Sequence, residues 1–253
     1  MAFSNGYVFG FATAVCVVCS VAVASVSIGL KDRQDANRRR DVRMNILAAL
    51  GLPEDGRALL GEEIDQLWDK RVQLRFVDPS GAAIDGAEHD QNGDGVLDQR
   101  DADVARAEVK GTDKAPAFSS LYVRMDGPQV GAYALPMYGV GLWGPISGFL
   151  ALDPGGTEVT GTTFFAPKET PGLGAEITEP KFKSQWVGKK IVDAGETRTI
   201  RVVKGEASVL CPGNIDFCVD GVSGATITSR GVDAMVDTAL AFYDPYLTRI
   251  RGR

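Results

Sequence analysis

The sequence predicts an α+β protein: a single transmembrane helix at the N-terminus, followed by a domain with a mostly antiparallel sheet and flanking helices. Three observations carry that expectation. Residues 7–30 form an uncharged, near-continuous apolar run. The middle of the chain crowds short alternating stretches between Gly- and Pro-rich turn signals. Apolar residues at helical spacing lie at both ends of the remaining chain, a segregation of helices from strands that marks α+β domains.

About 20 apolar helical residues cross a bilayer, so 7–30 suffices. The rival reading is a cleaved signal peptide, with Ala22-Val23-Ala24 as its small-residue site. Against it, no Lys or Arg precedes the run, and the run is longer than a signal core. Lys31, Arg33, Arg38, Arg39 and Arg40 follow the span, and the positive-inside rule alone would keep the rest of the chain in the cytoplasm. Cys16 and Cys19 sit inside the span as C-x-x-C. Lipid supplies neither stabilised thiolates nor further ligands, so they read as small packing residues.

A helical connector is expected over 31–70. Val42, Ile46, Leu47 and Leu50 share a helix face over 32–50, Gly51-Leu52-Pro53 ends it, and Ile64, Leu67 and Trp68 mark a second helix at 62–70. The remaining domain, 71–253, opens with a half-buried strand in which Val72, Leu74 and Phe76 alternate with Gln73 and Arg75. Residues 78–114, rich in Asp, Gly and Ala, read as an acidic surface insertion. Strand patterns follow at 121–125, 133–138, 149–152, 159–165 and 199–203, and a helix with Val232, Met235, Val236, Ala239 and Leu240 on one face is expected over 229–243.

Composition removes several function classes. A net charge of −6 gives a nucleic-acid partner no electrostatic support. His89 is the single histidine, which excludes His-rich metal sites and leaves triad-type hydrolysis dependent on one residue. Cysteine occurs as two pairs, 16/19 and 211/218, too few for a disulfide scaffold. Cys211 and Cys218 would close a short loop in an oxidising compartment and stay reduced in the cytoplasm.

Three motifs carry chemistry. Gly139-Val140-Gly141-Leu142-Trp143-Gly144 spells G-x-G-x-x-G, but a dinucleotide site needs a helix to start there, and Pro145 and a strand follow instead. It reads as a glycine-rich hairpin, with Trp143 able to offer a ligand an aromatic face. Residues 90–101 fit a calcium loop, with Asp90, Asn92, Asp94, Asp98 and Asp101 as oxygen ligands and the Val96 carbonyl between them. Asp101 stands where Glu is usual, and a solvated acidic loop is the alternative. The most specific feature is Asp220-Gly221-Val222-Ser223-Gly224-Ala225-Thr226, which fits D-x-x-[ST]-G-A-[ST] and arises by chance in about one chain in a thousand of this length. A Gly turn leading into a helix exposes free N–H groups and the positive end of the helix dipole, a cradle for phosphate. A plain helix cap is the alternative, and the two are compatible.

This last stretch resembles the flavinylation motif of the FMN-binding domain family, in which FMN is joined through its phosphate to the final Thr. Residues Glu169-Thr170-Pro171-Gly172-Leu173-Gly174 resemble the family's E-T-P-G-L-G segment, Gly139 to Trp143 its G-x-G-L-W segment, and the N-terminal span the anchor of the flavin subunits of sodium-translocating NADH:quinone oxidoreductases. The resemblance implies covalent FMN on Thr226, a turn shaped by Ser223, Gly224 and Ala225, and an isoalloxazine lying against Thr170, Gly172 and Leu173, with Trp143 beside it. It further implies an electron carrier of a bacterial inner-membrane complex that is not catalytic alone, partnered by other subunits and matured by a flavin transferase. Its soluble domain would face the periplasm, where Cys211 and Cys218 would be bonded. Two alternatives stand beside it: the equivalent flavin subunit of an Rnf-type ferredoxin:NAD complex, and an anchored calcium-dependent binding module without a redox role.

Overall fold

Residues 4–85, 89–91, 96–110, 112 and 114–252 are described by the computed structural model. The chain divides into two units, Met1–Val42 and Arg43–Arg253. The first is the leading part of α1 (Asn5–Ala49), whose stretch Asn5–Lys31 is long and apolar enough to cross a membrane. At 1.5 Å per residue its 27 residues measure about 40 Å. Cys16 and Cys19 are free and exposed on it. The helix expected over 32–50 is thus no separate element. Neither Gly nor Pro occurs between residues 30 and 50, so nothing interrupts the helix begun in the apolar run.

In the second unit, α2 (Glu62–Arg71) leads into β1 (Val72–Val77), and β2 (Ala83–Ile84) pairs with its end. With α3 (Gln99–Glu108) between, β3 (Ser119–Asp126), β4 (Gln129–Val140), β5 (Pro145–Leu152) and β6 (Val159–Phe165) complete a six-stranded antiparallel sheet in the order β2-β1-β3-β4-β5-β6. Beyond it come α4 (Pro180–Lys183), the short hairpin of β7 (Val192–Asp193) and β8 (Glu196–Thr197), then β9 (Arg201–Val203), α5 (Ala207–Leu210) and β10 (Cys218–Asp220). The chain closes with α6 (Thr226–Arg251).

Alternation along the strands gives the sheet two buried faces. Small residues dominate the first: Ala132, Ala134 and Ala151 lie with Tyr122 beneath Ile46, Leu47 and Leu50 of the α1 terminus and Ile64 of α2. The helix end lies so close that a Cβ at Gly161 would overlap the Ala49 carbonyl oxygen. Arg124 Nη1 donates to the Leu50 carbonyl at 2.7 Å, supplying a partner to the C-terminal end of α1. Much of the stretch read as a connector is therefore core. The opposite face, with Leu121, Val123, Leu135, Met137 and Leu150, packs against Val232, Met235, Val236, Leu240 and Leu247 of α6.

Helix α6 begins three residues before the expected start and runs eight beyond the expected end, through Pro245. Tyr243 and Leu247, on either side of that proline, are both buried in the core, and the Tyr243 hydroxyl donates to the Ser120 carbonyl at 2.6 Å. Packing thus overrides the helix-stopping signal of Asp244-Pro245. Burial pushes the Tyr243 phenol well above the ordinary tyrosine range. The acidic insertion is also more structured than its sequence suggests. Ala102 and Ala105 of α3 are buried against Phe76 and Phe118, and alanines carry too little hydrophobic contrast for the pattern to stand out.

Candidate functional site

The site is assembled at the start of α6. Strands β9 and β10 run parallel, Cys218 opposite Arg201 and Asp220 opposite Val203. Cys211 and Cys218 are disulfide-bonded across α5's end and β10's start, with Cα atoms 6.6 Å apart. Asp220 Oδ1 accepts from the Ala207 amide at 2.7 Å, and its own amide donates to Gln185 Oε1 at 2.8 Å, so Asp220 fixes this corner of the backbone. From β10 the chain turns through Ser223 and Gly224: the Ala225 amide donates to the Val222 carbonyl at 3.1 Å, and Gly224 takes φ +77°. Glycine adopts that conformation without strain, and its missing Cβ admits the Leu173 Cδ2 atom, which an added Cβ would meet at 2.9 Å.

Thr226 is the first residue of α6, half-buried, with Ser223 and Gly224 exposed and Ala225 buried before it. The helix carries no side-chain cap and no acidic residue in its first turn. The first amides of a 26-residue helix therefore lie without a side-chain cap at the positive end of the dipole, the arrangement that receives phosphate. Its near neighbour Thr228 is differently placed. It is 1% exposed, and its hydroxyl donates to Glu169 Oε2 at 2.7 Å. Ser229 Oγ accepts from the Val222 amide at 3.0 Å, which holds the incoming turn against the helix.

The 170–174 segment forms the second wall. The Leu173 amide donates to the Thr170 carbonyl at 3.1 Å across Pro171 and Gly172, a turn that leaves Thr170, Gly172 and Leu173 exposed, with Leu173 beside Gly224. The third wall is the β4–β5 turn, closed by the Gly141 amide on the Gly144 carbonyl at 2.8 Å. No helix starts there, as expected for a hairpin; the space its glycines leave is filled by other side chains. The Trp143 amide donates to Glu169 Oε1 at 2.8 Å, while the indole is 64% exposed. Trp143, Leu173 and Ile227 thus present an exposed apolar rim around the uncapped helix start. Polar cradle and apolar rim fit a phosphate-bearing aromatic cofactor such as FMN.

The structure brings Thr226, Ser223, Gly224 and Ala225 together with Leu173 and its turn, and ties Trp143 to the same corner through Glu169. The predicted calcium ligands lie elsewhere, around α3. Asp98 caps α3, accepting from the Arg100 amide at 2.7 Å. Asp101, 0% exposed, accepts from the amides of Gln91 and Asp98 at 2.8 and 2.7 Å. Asp90 and Val96 precede this cap, and Asn92 and Asp94 lie outside the described residues. Sequence reasoning did not single out Glu169 as a site residue; a lone carboxylate beside a Gly-rich turn was the available signal.

Comparison with known proteins agrees with this geometry. Residues 141–241 match the model of the FMN-binding domain family. The NqrC protein of the Na(+)-translocating NADH-quinone reductase of Yersinia pestis is 37% identical over 246 residues, covering 94% of this chain and 90% of that one. The chain belongs to the NqrC family. The Vibrio parahaemolyticus NqrC is 33% identical, with 96% and 94% of the two chains covered. Among solved structures, NqrC from Parabacteroides distasonis superposes with a TM-score of 0.67 at 30% identity, covering 87% of this chain and 97% of that one. Shewanella oneidensis NqrC superposes with a TM-score of 0.68 at 26% identity, covering 86% and 100%. The family match begins at Gly141, in the β4–β5 turn, and ends within α6. All three walls of the site fall inside it.

Proposed function

We propose that this chain is the covalent-FMN electron carrier of a sodium-translocating NADH:quinone oxidoreductase, relaying electrons toward quinone within a membrane complex of several different chains. One observation carries the attachment: of the two threonines on the first turn of α6, Thr226 is accessible at an uncapped helix start, whereas Thr228 is buried and bonded to Glu169. A phosphoester would form between Thr226 Oγ1 and the phosphorus of an FMN unit carried in a phosphoanhydride donor. The donor's P–O–P bond would break as the Thr–O–P bond forms, its second phosphate would depart as the leaving group, and a base of the flavin transferase would take the hydroxyl proton. Bound FMN supplies the electron-transfer chemistry. The chain's own residues hold and orient it: first-turn amides of α6 neutralise the phosphate, and Thr170, Gly172, Leu173 and Trp143 offer surface to the isoalloxazine. Relatives that are NqrC of the sodium pump, matching 94–96% of this chain, favour that complex over the Rnf-type alternative.

The soluble unit is assigned to the periplasmic side of the inner membrane. The Cys211–Cys218 bond supports this, since such bonds persist in oxidising compartments. The basic residues after the span argue the other way, but charge bias does not always dominate orientation. Calcium at 90–101 is a second proposal, supported by ligand spacing alone; calorimetry with calcium on the full chain tests it, and heat unaffected by Asp94→Ala would refute it. For the flavin, the test is in-gel fluorescence of denatured chain co-expressed with a flavin transferase, with peptide mass mapping. Fluorescence that disappears in Thr226→Ala is expected. A dark native band, or FMN mapped to Thr228, would overturn the assignment.

A further inference from the structure

We propose that Glu169 is a positioning residue whose buried negative charge holds down the reduction potential of the flavin while its two oxygens tie the walls of the site together. This rests on the reading of the site as one for covalent FMN. Glu169 is 6% exposed, and its carboxylate meets two donors from distant parts of the chain, the Trp143 amide at 2.8 Å and the Thr228 hydroxyl at 2.7 Å. Space around it is reserved: a Cβ at Gly141 would lie 2.5 Å from Oε1, and one at Gly174 would overlap Oε2. Among the described residues no Lys or Arg forms an ion pair with it. Its charge is offset by two hydrogen bonds and by the positive end of α6, the same helix end that receives the phosphate.

Tying the walls together does not require charge. A glutamine at 169 can accept from the Trp143 amide through its oxygen and donate to the Thr228 hydroxyl through its nitrogen, because a hydroxyl serves in either role. What only the carboxylate supplies is a fixed negative charge that opposes the arrival of electrons on a neighbouring group. A unit charge acting over roughly 10 Å at an effective dielectric of about 20 changes the reduced-to-oxidised ratio on the order of tenfold.

The experiment uses the full chain, flavinylated by co-expressed transferase, as native protein, Glu169→Gln, Glu169→Ala and Thr228→Val. In-gel flavin fluorescence, thermal unfolding and a reductive titration against a reference dye are read on each. Glu169→Gln is expected to keep its flavin and its melting temperature, and to show a reduced-to-oxidised ratio about tenfold higher at the ambient potential that half-reduces the native chain. Thr228→Val, which keeps the carboxylate, is expected to stay within about twofold of native in that ratio. Glu169→Ala is expected to melt earlier, with both ties lost. An unchanged ratio in Glu169→Gln, an equal rise in Thr228→Val, or a Glu169→Gln chain that folds but takes no flavin would each overturn the role given to Glu169. A native chain without covalent flavin would overturn the reading of the site itself.

Discussion

Two neighbouring threonines on one helical turn should respond to substitution in opposite ways. Thr228→Val is nearly isosteric and removes one hydroxyl. That hydroxyl is buried and donates at 2.7 Å to Glu169, whose other oxygen remains bonded to the Trp143 amide. Losing a hydrogen bond to a buried charged group costs about 2 kcal/mol. For a domain of this size each kcal/mol corresponds to about 3 °C, so the melting temperature should fall by about 6 °C. Thr226→Ala removes a half-buried hydroxyl that makes no capping bond, at a position where alanine is the better helix former. Its melting temperature should stay within about 2 °C of native. Flavin should follow the reverse order, lost in Thr226→Ala and retained in Thr228→Val. Circular dichroism melts of the detergent-solubilised chain, run beside in-gel flavin fluorescence of the same samples, give both readings. Flavin retained in Thr226→Ala and lost in Thr228→Val would refute the argument, as would a Thr228→Val melt indistinguishable from native.

Gly161→Ala should destabilise the chain by about 1–3 kcal/mol, because the new methyl meets the Ala49 carbonyl oxygen at the end of α1; a chemical denaturation curve measures it, and an unchanged midpoint would show that the helix end yields freely. Replacing both Cys211 and Cys218 by Ser should lower stability by about 2–3 kcal/mol, and native chain treated with reductant should melt with the double variant rather than above it. Asp101→Ala should loosen α3 by about 2 kcal/mol with or without calcium, since the carboxylate serves two backbone amides; stabilisation that appears only with calcium would reassign it. An enzyme active only in oxidising surroundings, fused after the last residue, should be active if the soluble unit lies outside the cytoplasm; an inactive fusion at normal abundance would reverse the topology.

Much of the sheet was legible because its strands obey the two-residue period: Leu121, Val123, Leu135 and Leu150 point to one face and Tyr122, Ala134 and Ala151 to the other. The turn into the closing helix was legible because the Gly-containing motif at 220–226 leads straight into it. The closing helix was drawn too short, since Asp244-Pro245 reads as a stop and only the buried Tyr243 and Leu247 explain why it is not. Helix α3 was hidden by alanines, whose burial against Phe76 and Phe118 leaves little mark on a hydrophobic pattern. Glu169 illustrates a further limit. Its partners lie 26 residues before it and 59 after it, and no local period reports a contact of that kind.

That long reach has a consequence for how the protein is made. The turn before Thr226 does not exist as a shape until α6 has been laid across β4, a strand synthesised some ninety residues earlier, and locked to it by Gly231, whose missing side chain leaves room for the Val140 carbonyl. Translation must therefore have passed α6, and the newly made chain docked upon itself, before a modifying enzyme can meet Thr226 in this setting. If flavin is attached at Thr226 as proposed, by an enzyme that reads the folded turn rather than the bare motif, then flavin on a molecule certifies that α6 has found its place, and a misfolded copy goes unlabelled.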